Sequence, residues 1–201
     1  MKTFAIVVAL SLASIFATAC STSENTNTTA NTAPANTAPP TTAPKSPSGE
    51  EAPANVRVAF PDAQSFTKEH KEMSAATIAS IEKTAGSKVP DTDHHSYVAY
   101  STSGGARKQI GAATVVEAGG QKMVVVYESR NNQPYIKEVR AEGLAPAFLD
   151  QFKGKGADDK FQMGQDLKAQ GVADATAKAI ATSIHIDLVT MRTLYGSAQA
   201  Q

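Results

Sequence analysis

Histidines and carboxylates are the side chains of this chain whose positions could support chemistry. An adjacent pair, His94 and His95, follows Asp91 and Asp93, and imidazole with carboxylate could hold a metal ion at a loop. Neighbouring residues of an extended segment point in opposite directions, so the alternative is a solvated loop before a strand. No catalytic group of serine, histidine and acid can be assembled from spacing, and no glycine-rich phosphate loop is present. We therefore assign no catalytic residue and no metal ligand.

Residues 1–19 have the pattern of a secretory signal peptide. Lys2 provides a positive charge, residues 4–16 form a short apolar run, and residues 17–19 are Ala-Thr-Ala, small residues suited to cleavage. The apolar run is too short for a resident membrane-spanning helix. The chain is therefore expected to be exported, with this leader removed.

The single cysteine, Cys20, follows the leader directly. With residues 16–19 it resembles a lipobox, where bacterial lipoproteins receive diacylglycerol, are cleaved and are acylated, for example with palmitate. The resemblance implies a lipid-anchored cell-envelope protein, and Ser21 resembles the outer-membrane default, facing the periplasm or the exterior. Each buried CH2 contributes about 0.8 kcal/mol, so two or three acyl chains anchor a protein firmly. Ala17 stands where lipoboxes usually have Leu, and the alternative is a secreted protein with a free Cys20.

Residues 20–55 have the composition of a disordered tether, and residues 56–201 that of one domain. The tether is rich in Thr, Ala, Pro and Asn and has no large apolar residue, so it cannot bury a core. The remaining length suffices for a single hydrophobic core. The chain carries 19 basic and 19 acidic residues and no basic cluster interleaved with aromatics, so no nucleic-acid partner is expected.

The domain combines helical and strand patterns typical of the α+β class. Ser74 is suited to cap a helix that ends at Gly86. Pairs of Gly or Asn separate four strand-like runs, which predicts an antiparallel sheet of about four strands with helices packed on it. The runs are residues 97–101, 109–116, 122–127 and 135–140. Large apolar residues recur every three or four positions from Ile180 to Tyr195, which predicts a long C-terminal helix ending at Gly196.

Five short motifs follow one another through the domain. Residues 60–63 read Phe-Pro-Asp-Ala, residues 97–99 Tyr-Val-Ala and residues 110–113 Ile-Gly-Ala-Ala. Further on, residues 142–144 read Glu-Gly-Leu and residues 148–155 Phe-Leu-Asp-Gln-Phe-Lys-Gly-Lys. In this order they resemble parts of the FMN-binding domain family. Residues 60–63 resemble the start of such domains, and residues 97–99 with 110–113 resemble their first paired strands. Residues 142–144 resemble the family's Glu-Thr-x-Gly-Leu turn, and residues 148–155 resemble its Phe-x-x-Gln-Phe-x-Gly-Lys segment. That family includes the periplasmic flavoprotein subunits of the Rnf and sodium-translocating NADH:quinone oxidoreductase complexes.

The resemblance implies an FMN site at the start of the last long helix. The family has a Ser-Gly-Ala-Thr-x-Thr/Ser-Ser segment there, whose Thr can be esterified to the FMN phosphate. One alignment places that acceptor at Asp174 and the next hydroxyl at Thr176, and another places Ala175 and Thr176 on the family's Ala-Thr. Lys178 and, in the Gly-Leu turn, Glu142 complete the implied cofactor-binding residues. A helix N-terminus favours a phosphate, whereas Asp174 opposes it or serves as a capping acid.

The function implied by the resemblance is electron transfer by a flavoprotein rather than turnover by an enzyme. The partners would be FMN, held with or without a covalent bond, a membrane reached through the lipid anchor, and a membrane redox protein. The alternative is a cofactor-free binding or accessory module of the cell envelope with the same fold.

Overall fold

The structure is a computed structural model that describes residues 51–196. The predicted signal peptide, Cys20 and the tether up to residue 50 lie outside the described residues. Within residues 51–196 the packed domain begins before Val56, the predicted start of the domain, because Ala52 is already buried. In the same range no helix combines the length and the apolar character needed to cross a membrane.

Five antiparallel strands form one sheet in which sequence neighbours are hydrogen-bonded. The predicted α+β class, antiparallel meander and long C-terminal helix are confirmed, with five strands in place of about four. The additional strand is β1, at one edge of the sheet, and Phe66 is its only large apolar residue, so no hydrophobic alternation reveals it. The strands are β1 Ser65–Glu72, β2 Asp93–Ser101, β3 Lys108–Ala118, β4 Gln121–Arg130 and β5 Gln133–Ala141.

Two-residue turns connect β3 to β4 and β4 to β5. Gly119 and Gly120 have φ values of 59° and 75°, and Asn131 and Asn132 have values of 51° and 60°. Two consecutive positive φ angles are typical of the type I′ turn, whose twist matches that of the flanking strands. The predicted turn positions are therefore confirmed at both places.

Strand β2 begins earlier than the sequence pattern indicates. It includes His94 and His95, which the pattern places in a solvated loop. His94 pairs with Lys71 of β1, and His95 pairs with His70. Pairing with this polar edge strand, which has no hydrophobic pattern, therefore extends β2 to include both histidines. Alternation along the strand buries His94 and exposes His95.

Residues 51–196 contain four α-helices. The residues that cap the second helix were predicted from the sequence. In α2 the Ser74 hydroxyl accepts a hydrogen bond from Thr77 N at 3.2 Å, and Gly86 ends the helix with φ of 67°. The short α3 begins with Pro146 and continues into a 3-10 turn, Asp150–Phe152. The helices are α1 Ala54–Ala59, α2 Ala75–Ala85, α3 Pro146–Leu149 and α4 Asp174–Tyr195.

The long helix α4 packs across one face of the sheet. Its predicted apolar face is confirmed, because Ile180, Ile184 and Leu188 are fully buried, and each such side chain contributes about 1.5 to 3 kcal/mol of burial. Helix α1 and Phe60 cover part of the opposite face. Strand β4 is buried on both sides, as its apolar run predicted, and lies between β3 and β5.

Candidate functional site

The residues implied by the resemblance lie in the first turns of α4. The helix begins at Asp174 with Ala173 as its N-cap, and no side chain caps it. The first N–H groups therefore have no side-chain acceptor at this end. Asp174 is a first-turn residue and not the capping residue that the sequence allowed. Asp174, Ala175 and Lys178 are exposed, and Thr176 is half-buried.

Thr176 packs closely against the turn between β3 and β4. A Cβ atom placed on Gly119 would lie 2.9 Å from Thr176 Cγ2, whereas one on Gly120 would meet no atom within 4 Å. The start of α4 and this turn therefore form one continuous surface, with open space above Gly120. None of residues 174–178 lines any of the three cavities described below.

Glu142 lies in the turn that follows β5 and is exposed. Gly143 gives this turn a positive φ of 75°. The Ala145 Cβ atom would be 3.6 Å from a Cβ placed on Gly171, so the turn abuts the segment that leads into α4. No hydrogen bond or ion pair joins Glu142 to the first turn of α4 within residues 51–196.

A polar cluster centred on Asp187 lies between α4 and the sheet. Thr114 Oγ1 donates a hydrogen bond to Asp187 Oδ2 at 2.5 Å, and the Tyr127 hydroxyl donates to the same oxygen. His94 Nε2 lies 3.1 Å from Asp187 Oδ1. These four residues are called the Asp187 cluster below. Asp187 is about 20 Å along the helix from Asp174, at 1.5 Å per residue.

The elements bring the cluster together from distant parts of the sequence. His94, Thr114 and Tyr127 come from three neighbouring strands, β2, β3 and β4, and point to the face covered by α4. Asp187 follows Ile184 by three positions and therefore shares the sheet-facing side of the helix. The cluster replaces apolar packing in the middle of this interface.

Burial determines the protonation of the tyrosine in the cluster. Removal from water raises the pKa of Tyr127 well above its usual value, and the nearby Asp187 carboxylate raises it further. Tyr127 therefore keeps its proton and acts as a donor. The Asp187 side chain is only 12% exposed, and no Lys or Arg forms an ion pair with it within the described range. Thr114 and Tyr127 are neutral donors to this carboxylate, and His94 is its third partner.

The second ring nitrogen of His94 has no hydrogen-bond partner among residues 51–196. The side chain of His94 is 9% exposed, and its Nδ1 atom is buried without a hydrogen bond. If Nε2 donates to Asp187, Nδ1 of a neutral ring is an acceptor. Nδ1 is therefore a buried polar atom that a ligand could pair with.

Two cavities reach the Asp187 cluster. One, of about 300 Å³, is lined by His94 and Asp187 and lies beside the loop between α2 and β2. The other, of about 540 Å³, is lined by Tyr127 together with Ser96 and Tyr195. We call the first the acidic cavity and the second the tyrosine cavity. The cluster is thus accessible to small molecules, unlike an ordinary buried polar network.

The remaining histidines do not form a metal site with their neighbours. His70 and His95 stack at the surface with ring centres 4.6 Å apart, and His185 stacks on Phe161 at the same distance. Within residues 51–196 no group of three or more His, Cys, Asp or Glu is arranged to hold a metal ion. His185 lines a third cavity, and burial lowers its pKa.

The Asp187 cluster is absent from our sequence-based candidates. One signal was available: Asp187 lies within the apolar face of α4 between Ile184 and Leu188, where a carboxylate requires partners. The partners themselves, Thr114 and Tyr127, occur inside apolar strands without any motif. Their convergence depends on the register of β3 and β4 and is visible only in three dimensions.

The fold and these sites define a small α+β domain in which one long helix covers an antiparallel meander and buries a polar cluster between two cavities. Comparison with protein-family models, with curated proteins and with solved structures found no match for this chain.

Proposed function

We propose that this chain is a lipid-anchored cell-envelope protein whose domain binds FMN and carries electrons to or from a membrane redox partner. The observation that carries the proposal is the uncapped start of α4 beside the turn at Gly119 and Gly120. It lies where the resemblance to the FMN-binding family expects the cofactor. Cys20 and the tether would hold the domain at a membrane while allowing it to reach a partner.

The residues at the start of α4 suit the phosphate of FMN. The free N–H groups of the first turn would donate to phosphate oxygens, and exposed Lys178 adds positive charge nearby. The open space above Gly120 leaves room for an approaching group. Asp174, the acidic residue of the first turn, carries a charge that opposes binding. When bound, FMN supplies reversible electron transfer, and the protein's part is to hold and orient it.

Absorption and mass of the full chain test this proposal. The chain is produced with its leader in a bacterial host, with and without a flavin transferase, and purified in detergent. We expect flavin absorption bands and release of FMN on denaturation. A mass that retains the flavin after denaturation would show a covalent bond, and Thr176→Ala should then abolish it. Thr193→Ala, near the other end of α4, is the matched control. Absence of flavin under both conditions would refute the proposal.

Removal of the opposing charge provides a second test. Asp174→Asn should strengthen FMN binding about threefold or more, because a carboxylate near a phosphate is repulsive. Asp158→Asn removes another exposed carboxylate, paired with Arg192 and outside the first turn of α4, and should leave the affinity unchanged. Equal affinities of Asp174→Asn and the unmodified chain would place the phosphate elsewhere.

A second candidate function is a cofactor-free binding module of the cell envelope. It is favoured by the exposed Asp174 and by the position of the acidic and tyrosine cavities, which lie away from the start of α4. The same absorption measurement separates the two, since this candidate predicts a colourless protein both with and without the flavin transferase.

A further inference from the structure

The acidic cavity carries an unbalanced set of charges that FMN binding does not use. Four carboxylates line it, and no Lys or Arg does. They are Asp91, Asp93, Glu117 and Asp187. Lys122 Nζ lies 3.2 Å from Glu117 Oε1, and His70 Nε2 lies 3.5 Å from Asp93 Oδ1. Two of the surface carboxylates therefore have partners. Asp187, the buried one, has no cationic partner from Lys or Arg within the described range.

A buried carboxylate without a Lys or Arg partner in the described range is an incomplete arrangement. Hydrogen bonds with Thr114, Tyr127 and His94 satisfy part of its oxygen lone pairs. The two hydroxyl groups do not neutralise its charge, and an uncompensated buried charge is costly. The low-dielectric surroundings that make it costly also strengthen its attraction for a cation that enters the cavity.

His94 adds a second and independent requirement. Its Nδ1 atom has no hydrogen-bond partner among the described residues and belongs to a side chain that is more than nine-tenths buried and lines the same cavity. In a neutral ring that donates from Nε2 to Asp187, Nδ1 is an acceptor. A ligand that brings both positive charge and N–H groups meets both requirements. A metal ion would meet the first only by ligation, and the donor set is too dispersed for that.

We propose that the acidic cavity binds a small organic ammonium ion. The ammonium group lies at the Asp187 and His94 end of the cavity. The apolar body of the ligand packs against side chains that form the rest of the wall, which include Met73, Val89, Val116 and Ile186. A volume of about 300 Å³ suits a compact molecule, since it is at the lower end of the range for ligand pockets.

Calorimetric titration of the full chain in detergent tests the proposal with n-butylammonium as the probe. Uncharged 1-butanol and anionic butyrate have similar size and serve as controls for charge. We expect saturable binding of n-butylammonium, binding of 1-butanol at least about tenfold weaker, and no binding of butyrate. Nitrogen NMR of the His94 ring should show a shift of the Nδ1 signal on addition of the amine.

Two variants locate the binding site. Asp187→Asn removes the buried charge with little change in shape and should weaken n-butylammonium binding about tenfold or more. Asp158→Asn, outside this cavity, should have no effect. Ser183→Phe places a ring into the cavity from α4, one helical turn before Asp187, keeps the Asp187 carboxylate, and should abolish binding. This last variant decides the question if Asp187→Asn fails to fold.

Several outcomes would overturn the proposal. They are the absence of saturable n-butylammonium binding, equal binding of amine and alcohol, and binding that persists in folded Asp187→Asn or in Ser183→Phe. A doubly protonated His94 ring in the unliganded protein would also overturn it, because an imidazolium would already balance Asp187. None of these outcomes depends on whether the start of α4 binds FMN.

Discussion

Two regions of the interface along α4 differ in the exposure and the pairing of their charged groups. At its start, Asp174 and Lys178 are exposed to water, the N-cap is an alanine, and the contacts are local ones to the turn at Gly119. At Asp187, about 20 Å further along, a carboxylate is buried under three donors from three strands. The first region is an open surface, and the second is a buried carboxylate fixed by hydrogen bonds from the sheet.

The difference has an energetic consequence. An exposed charge at a helix end is screened by water and contributes less than about 1 kcal/mol. Removal of a buried, hydrogen-bonded carboxylate is more costly, because each of its donors loses its partner. Changes at the start of α4 should therefore affect ligand binding with little effect on folding, and changes at Asp187 should affect both.

The largest expected effect is that of Asp187→Ala. It leaves the Tyr127 and Thr114 hydroxyls and His94 Nε2 without their acceptor, and we expect a loss of about 3 kcal/mol or more in the free energy of unfolding. Asp174→Ala should change that free energy by less than about 1 kcal/mol. Urea unfolding of both variants measures the difference. Similar losses for the two would contradict the distinction between the regions.

The sequence predicts one of these regions far better than the other. The start of α4 is contiguous, so capping rules, an apolar period and a family resemblance all bear on residues 173–178. The caps of α2 and the turn at Gly119 were likewise predictable, because each is set by a few adjacent residues.

The Asp187 cluster was not predictable because its members are far apart in the sequence. Asp187 is 93 residues from His94 and 60 from Tyr127. Their meeting depends on strand register, and the polar strand β1, which extends β2 to include His94, carries no hydrophobic alternation. Local patterns cannot carry that information.

A smaller effect is expected at the contact between Thr176 and the turn. Gly119→Ala and Gly120→Ala both force an alanine to a positive φ, which costs about 1 kcal/mol. Only the Cβ at Gly119 would also collide with Thr176 Cγ2, so we expect Gly119→Ala to cost about 2 kcal/mol. Thr176→Ser removes that methyl group and should recover part of the loss. Equal costs for the two glycine variants would contradict the close contact.

Alkaline pH should lower the free energy of unfolding through Tyr127, a member of the Asp187 cluster. Its pKa in the folded protein is well above 10.0, so the unfolded chain releases this proton first as the pH rises. Stability is therefore complete below pH 10 and falls above it, by about 1.4 kcal/mol per pH unit for one proton. Tyr195, whose pKa is raised mainly by burial, adds to the fall.

Tyr127→Phe separates these contributions. The variant should lose about 1 to 2 kcal/mol near neutral pH, because one donor to Asp187 is removed, and its stability should fall less steeply above pH 10. Urea unfolding between pH 8 and 11 measures both quantities. An unchanged alkaline slope would assign the fall to other groups.

The smallest effect concerns His185, two residues before Asp187 on α4 but facing Phe161 and a different cavity. Burial lowers its pKa from 6.5, and a hydrogen bond with the Ala157 backbone opposes that shift only in part. The unfolded chain therefore takes up the proton first as the pH falls. Stability should be complete above pH 6.5 and decrease below it.

His185→Phe keeps the ring stack and removes the titration, so its stability should decrease less between pH 6.5 and 5.5 than that of the unmodified chain. His95→Phe makes the same change at an exposed ring and serves as the control. If the two variants respond alike to pH, the acid sensitivity belongs to neither ring. If only His185→Phe resists the loss of stability at acid pH, the acid response arises from His185 and not from the Asp187 cluster. Protonation of His185 then does not affect the amine titration at neutral pH.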